Sequence, residues 1–431
     1  MIRFFHTADI HFGVENYGKI DPQTGIHTRL LDFKNSFAHC VDMAIEQNID
    51  FLIFAGDAYK TATPTPTQQK LLLQQFLRLQ KAGIPAVIIV GNHDHPLSFG
   101  KATALDLFGD LPVDGFHIFA KPGVIKLETK NGPIQVVGIP WPSRHNLLAR
   151  HATVRFKTAH EITQNLSLEV CKIINNIAEK LDPNIPAILG GHLTVTSGVF
   201  SGSEKTAVFG NDPVFLPSQL AIKPFDYIAL GHLHRHQDLN KGGRCPLVYA
   251  GSIERVDFGE RNDTKGFCDV TISSGSYETR TTSYKFELLP TRPMIQIDIK
   301  MSPTPDQTKF ILEKIKDYDL TDAIVKIVYH LPPDVKDAVN LAAIYRACAD
   351  AIHVAAIVPI HTQVKRERRA QINIDMDQTS MLTAYLTEKC CSTEKIDHLI
   401  RQADALRCEL DNEQSFEENS SIEAEQDAAL L

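Results

Sequence analysis

The chain has 431 residues, 43% of them hydrophobic, enough for two or three domains with a sizeable buried core. No apolar run approaches the roughly 18–20 residues of a membrane span, the N-terminal MIRFFHTADIHF lacks the apolar stretch of a cleavable signal, and none of the eight cysteines forms a CxxC pair, so reduced thiols in a cytoplasm are expected. The formal net charge of −8 does not exclude a nucleic-acid partner, because residues 409–431 alone carry eight acidic and no basic side chains and leave residues 1–408 neutral.

In chain order, a short apolar run, IRFFHTADIH (2–11), ends in polar residues and reads as a buried strand. Leu30, Phe33, Phe37, Val41, Ala44 and Ile45 then recur at helical spacing within 29–48. FLIFAGD (51–57) is a second strand, and Leu72, Phe76 and Leu79 mark a helix over 67–82 that Gly83-Ile84-Pro85 stops. AVIIVGNHD (86–94) is a third strand, 159–181 a helix, and AILGGH (187–192) and YIALGHLH (227–234) two further strands. PLVYAGS (246–252) and GFCDVTI (266–272) follow as strands. The alternation implies an α/β fold with layered sheets and helices outside.

Past Pro290 the rhythm changes to strand, helix, strand, helix, strand, from MIQIDIKM to HVAAIVPIHTQV, and ELLPTRP (287–293) reads as the linker to this small second domain. Beyond KRERR (365–369), whose basic side chains are either phosphate contacts or a solvated surface, residues 376–408 read as one or two amphipathic helices. The acidic tail has the composition of a disordered segment. The expected domains are therefore 1–288, 289–375 and 376–431.

The polar residues that end the five strands form a particular set: Asp9 and His11; Asp57; Asn92, His93 and Asp94; His192; His232 and His234. In an open α/β sheet, ligands gather at the carboxyl ends of strands. Carboxylate, imidazole and amide oxygen together suit divalent Mn²⁺, Fe²⁺ or Zn²⁺, and the lack of cysteine disfavours a structural zinc. Asp9, His11, Asp57, Asn92, His192, His232 and His234 are too many for one tetrahedral ion. If Asp57 bridges, each of two ions gains four protein ligands, the arrangement that clamps a phosphoryl group. His93 is then left to stabilise the phosphate or protonate a leaving oxygen, with Asp94 orienting it. His236, the third histidine of GHLHRH, is expected to face solvent or substrate, and Trp141 to serve packing.

The order DxH, GD, GNHD, GH, GHxH resembles the calcineurin-like metallophosphoesterase superfamily. GIPWPSRHNLL (138–148) and YAGSIERVDFGE (249–260) are similar to its SbcD/Mre11-type DNA nuclease subunits. The resemblance covers about residues 1–360 and implies a metallophosphoesterase β-sandwich flanked by helices, with a small α/β DNA-capping domain over 289–375. It further implies that Asp9, His11 and His234 hold one metal, Asn92, His192 and His232 the other, and that Asp57 bridges two divalent ions, expected to be Mn²⁺. His93 and Asp94 would be the catalytic pair. The implied activity is exonuclease and endonuclease action on double-stranded DNA ends and hairpins in repair and recombination. The implied partner is an SbcC/Rad50-type coiled-coil ATPase in an assembly built on a homodimer, with no membrane involved; residues 376–408 either dock on that ATPase as an amphipathic helix or close the capping domain.

Two features depart from the family pattern: Lys60, a candidate DNA contact, stands where relatives commonly carry His or Asp, and the first loop, 12–33, is longer. The alternative keeps the metal site but changes the substrate to a nucleotide, a cyclic phosphodiester or a phosphoprotein.

Overall fold

In the computed structural model the described residues are 1–95, 101–111, 113–143, 158–202, 212–301, 306–333, 335–361, 376–389 and 391–408. The apolar runs form short strands buried on both faces: β1 (Ile2–Thr7), β2 (Phe51–Phe54) and β3 (Ala86–Ile89). They continue through β4 (Phe116–Phe119), β5 (Gly123–Thr129), β6 (Gly132–Ile139), β7 (Ala187–His192), β8 (Thr194–Val195), β9 (Val214–Phe215) and β10 (Tyr227–Gly231). Then come β11 (Gln237–Asp238), β12 (Leu247–Tyr249), β13 (Gly266–Ile272), β14 (Thr282–Leu288), β15 (Met294–Lys300), β16 (Ile324–Leu331) and β17 (His353–His361).

Two six-stranded sheets result, in the orders β14-β13-β1-β2-β3-β4 and β11-β12-β10-β7-β6-β5. Phe4, Ile53, Val87, Ile89, Ile188, Ala229, Val248 and Val270 belong to one apolar cluster drawn from both sheets, which makes the architecture a sandwich. Helices α1 (Thr28–Glu46) and α2 (Pro66–Lys81) cover the first sheet, with Phe33, Phe37, Val41, Leu72, Phe76 and Leu79 packed on Phe5, Leu52 and Phe54. Thr65 and Gln68 close a capping box at the start of α2, and Gly83, at φ +73°, ends it as its residue type predicts. Helix α3 (Ala159–Ala178) covers the second sheet through Val170 and Ile174. The α/β sandwich with outer helices is thus as the sequence implies. Of the strands that the sequence did not single out, β5 and β14 largely alternate exposed and half-buried residues at sheet edges and so carry no continuous apolar run.

The expected strand–helix alternation after Pro290 is present. The sheet β15-β16-β17 carries α4 (Gln307–Ile315) and α5 (Leu341–Ala347) in its connections, and β15 runs parallel to β16 with Ile297 opposite Ile327. Met294 and Ile324 pack on Phe258, with Tyr17 of the long first loop against the same cluster. Arg292, in the segment joining β14 to β15, pairs with Asp32 of α1 at 2.5 Å.

The chain divides into two compact units, Met1–His330 with Asp337–Ile360, and Leu331–Lys336 with His361–Leu431. In the second, α6 (Gln378–Glu388) is capped by Asp377, and a further helix spans 393–408, so two helices stand where the sequence suggests one or two. KRERR (365–369), the acidic tail and the end of GIPWPSRHNLL lie outside the described residues. Among the described residues no helix is long and apolar enough to cross a membrane, and Cys40, Cys171, Cys245, Cys268, Cys348, Cys391 and Cys408 carry free thiols.

Candidate metal centre

Parallel pairing sets the site. His6 and Thr7 of β1 lie opposite Ile53 and Phe54 of β2, so the loops carrying Asp9 and Asp57 leave the sheet side by side. They are laced together: Asp9 N donates to Gly56 O at 2.9 Å, His11 N to Asp57 O at 3.0 Å and Phe12 N to Ala58 O at 2.9 Å. In the second sheet Gly231 lies opposite His192, which brings the ends of β7 and β10 together.

Backbone strain concentrates here. Asp9 (φ 53°), His11 (φ 52°), Asp57 (φ 58°) and His232 (φ 103°) all occupy positive φ, at a cost of about 1–3 kcal/mol each for non-glycine residues. Gly91 precedes Asn92 because a Cβ there would sit 2.1 Å from Asp57 Oδ1. The glycines of these motifs leave room that side chains would otherwise fill.

The predicted ligand residues come together. His11 Nε2 lies 3.0 Å from His234 Nε2. Asp57 Oδ2 is 3.4 Å from His192 Nε2 and 3.7 Å from His11 Nε2. Asn92 Oδ1 is 2.9 Å from His192 Nε2 and 3.2 Å from His232 Nδ1. Both Asp9 oxygens accept from His232 N at 3.1 Å. Three trios, Asp9–His11–His234, His11–Asp57–His93 and Asp9–Asp57–His192, each bring ligand atoms within 4.8 Å of one another. At 3.0 Å the Nε2 atoms of His11 and His234 are close enough to share one proton or one cation. The buried Nδ1 of His11 and Nε2 of His232 have no hydrogen-bond partner among the described residues. This donor set, all nitrogen and oxygen, fits divalent cations.

The electrostatics agree. Burial pushes the Asp9 carboxyl up to about 7. Burial would also raise Asp57, but His192, His93 and His11 outweigh it and hold Asp57 well below the carboxylate range. Burial opposes charge on His192, yet Asp57 raises its imidazole to about 9. His192 Nδ1 donates to Ala55 O at 2.8 Å, so the extra proton sits on Nε2, where it faces Asp57 and Asn92. Burial lowers His232 to about 3 and His11 well below its ordinary value. The cluster thus holds a proton where a cation would serve the same purpose.

His93 is half-buried beside these groups, its ring edge-on to His11 with centroids 5.0 Å apart. Its backbone N donates to Asp57 Oδ1 at 2.9 Å. The expectation that Asp94 orients the ring is corrected. Asp94 Oδ2 accepts from the backbone N of Ala58 and Gly91 and Oδ1 from Tyr59 N, at 3.0–3.1 Å, so its oxygens tie two loops together. The ring nitrogen Nδ1 of His93 instead donates to the carbonyl of Lys60 at 2.9 Å. His236 does not point freely outward either: its ring stacks on Phe286 at 3.9 Å and 8°, and Nδ1 donates to Tyr249 O at 2.9 Å.

Two neighbours escaped sequence reasoning. Trp141 packs on His232 with ring centroids 4.9 Å apart and lies 6.0 Å from His192, walling that side of the centre. Glu260, buried, accepts from His234 Nδ1 at 2.7 Å. Its signal was the closing residue of the quoted YAGSIERVDFGE stretch, but nothing in that spacing says which histidine it meets.

The sequence profile of the family described as calcineurin-like phosphoesterase matches residues 2–236. The chain is similar to the SbcD component of nuclease SbcCD from Staphylococcus epidermidis, with 26% identity over 321 residues, 73% of this chain and 75% of that protein. It is also similar to an uncharacterized metallophosphoesterase, YhaO, of Bacillus subtilis, with 27% identity over 64% of this chain and 59% of that protein. A solved dimetal phosphatase from Danio rerio aligns at a TM-score of 0.35 and 10% identity, covering 65% of this chain and 98% of its own. With five strand ends converging on a cation-binding cluster inside the matched span, the chain belongs to the calcineurin-like phosphoesterase family and is a metal-dependent phosphodiesterase.

Proposed function

We propose that the chain is an SbcD/Mre11-type nuclease subunit that hydrolyses DNA phosphodiester bonds at duplex ends and hairpins. It would act in the cytoplasm as a homodimer with an SbcC/Rad50-type coiled-coil ATPase, in repair and recombination. One observation carries this reading: the similarity to the SbcD component of nuclease SbcCD runs for 321 residues, more than the span 2–236 can hold, and so takes in sequence beyond the phosphoesterase match. The β15-β16-β17 unit behind that span supports a capping domain over 289–375, and the helices of 376–408 support a segment that docks on the ATPase.

In this reading Asp9, His11 and His234 hold one Mn²⁺, Asn92, His192 and His232 a second, and Asp57 lies between them. Such ions polarise a phosphodiester and activate water at neutral pH. The chain's own groups do the rest. The Asp57 carboxylate is anchored through Oδ1 by His93 N, which leaves Oδ2 toward His11 and His192. Because Nδ1–H of His93 is committed to Lys60 O, Nε2 is the nitrogen that would take up a proton, forming the imidazolium, and pass it to the leaving oxygen, which returns the ring to its neutral Nδ1–H form. Lys60, whose backbone N and O are both tied into the site loops, would contact a DNA phosphate through its side chain in this reading.

The test is cleavage of end-labelled duplex and hairpin DNA by the purified protein, with and without Mn²⁺, beside a small phosphodiester dye. Mn²⁺-dependent shortening of the duplex is expected. Turnover of the dye with intact DNA, even with the ATPase present, would overturn the nuclease reading in favour of a small-substrate phosphoesterase.

A further inference from the structure

The imidazoles around the centre fix their outward nitrogens in different ways. His192 and His93 donate to backbone carbonyls, Ala55 O at 2.8 Å and Lys60 O at 2.9 Å. The outward Nε2 of His232 stands 3.7 Å from Asp212, beyond hydrogen-bond reach. Of these outward nitrogens, that of His234 donates to a carboxylate, Glu260 Oε1 at 2.7 Å. Glu260 in turn is paired with Lys265 at 2.7 Å, and both side chains are fully buried. Lys265 Nζ also donates to the carbonyl of His234 at 2.9 Å and to Ser252 Oγ at 2.8 Å. Ser252 Oγ and Val256 N fill Glu260 Oε2 at 3.1 Å each. The pair therefore grips His234 at both ends, ring nitrogen and backbone carbonyl.

Burying two charges costs several kcal/mol per ion before their attraction offsets it, and well-packed apolar residues often serve a fold as well. A role outside stability accounts for this pair. We propose that Glu260 and Lys265 are positioning residues for His234. Glu260 fixes the tautomer that leaves the Nε2 lone pair on the metal side and strengthens it as a donor. Lys265 balances the added charge and pins the His234 backbone, which neighbours the strained His232. The ion held by Asp9, His11 and His234 consequently binds more tightly than its neighbour, where His192 leans on a neutral carbonyl and the outward nitrogen of His232 has no hydrogen-bond partner among the described residues. This inference rests on the reading of His234 as a ligand.

The test compares Mn²⁺ titrations by calorimetry of the full-length wild type and the double variant Glu260→Gln/Lys265→Met, which removes both buried charges together. Loss of such an outer carboxylate weakens binding about 10–100-fold. That loss is expected at one ion only, with the other unchanged. The control pair Asp226→Asn/Arg280→Met removes another buried ion pair, 3.1 Å apart. It should lower the melting temperature and leave both affinities alone. Wild-type affinity for both ions in the first variant, or an equal loss in the control, overturns the proposal. A wild type that takes up no Mn²⁺ sinks the two-metal reading instead. Should the double variant fail to melt cooperatively, imidazole nitrogen NMR of the Zn²⁺-loaded wild type decides. His234 must show a protonated, exchange-protected Nδ1 and a metal-bound Nε2; an unprotonated Nδ1 overturns the proposal.

Discussion

The Nε2 atoms of His11 and His234 lie 3.0 Å apart although 223 residues separate them in the chain. One leaves the first sheet after β1, the other the second sheet after β10, and the sandwich brings the two strand ends to one rim. Outward hydrogen bonding differs between them: His234 is fixed by Glu260, whereas the buried Nδ1 of His11 has no partner among the described residues. Each expectation below follows from such a juxtaposition.

His93→Ala should lower single-turnover cleavage of duplex DNA by about 10²–10⁴-fold, the usual range for a lost proton donor. Its side chain bonds Lys60 O, while the Asp57 anchor is its backbone N, so Mn²⁺ stoichiometry should stay at the wild-type value. Asp94→Asn should behave differently. It disturbs the carboxylate that ties Ala58, Tyr59 and Gly91 together, so thermal stability should fall along with activity.

The neighbouring histidines of GHLHRH should separate cleanly. His232→Ala removes the Nδ1 that faces Asn92 and should cost one bound ion in metal analysis. His236→Ala removes a ring stacked on Phe286 and a bond to Tyr249 O. It should lower unfolding free energy by about 1–3 kcal/mol in urea and leave both ions bound.

Metal uptake should release protons. With its imidazole raised to about 9, His192 is protonated at pH 7.5 in the metal-free protein, and Nε2 must lose that proton to ligate. Calorimetry in two buffers of different ionisation enthalpy should show net proton release at pH 7.5. Mn²⁺ affinity should climb with pH until about 9 and level off. The stability that this raised group lends the metal-free fold is fully present below its ordinary value of 6.5. It is lost as pH rises through about 9. Saturating Mn²⁺ should flatten that dependence and raise stability by about 2.7 kcal/mol at a hundredfold excess over Kd.

Gly91→Ala places a methyl 2.1 Å from Asp57 Oδ1 and 2.3 Å from Asp57 N. Overpacking of this kind costs about 1–3 kcal/mol. Because the displaced group is the Asp57 carboxylate, a member of two of the three trios, Mn²⁺ binding should fall along with the denaturation midpoint. Normal binding of both ions would show that Asp57 tolerates displacement.

The sequence by itself determined the main buried strands, the helices between them and the polar residues that end those strands. Continuous apolar runs such as FLIF and AVII, short and flanked by Gly or Pro, fit strands buried on both faces, and the polar residues that end them then lie at a sheet rim. The βαβαβ rhythm after Pro290 was equally legible, because its periods change from two to 3.6 within short segments. What only the tertiary structure decided is which partner each polar atom meets. Asp94 stands next to His93 in sequence, yet its oxygens face backbone amides, because the tight turn after β3 aims consecutive side chains in different directions. Lys60 orients His93 through its backbone carbonyl, a group every residue carries and no sequence pattern marks. Glu260 and Lys265 meet His234 from a short 3-10 turn and the start of β13, about thirty residues away, and Trp141 reaches His232 from beyond the end of β6, two strands across the same sheet from β10. Periodicity reports which face of an element is buried; long-range pairing of buried polar groups depends on how two sheets are stacked, and that has no local signature.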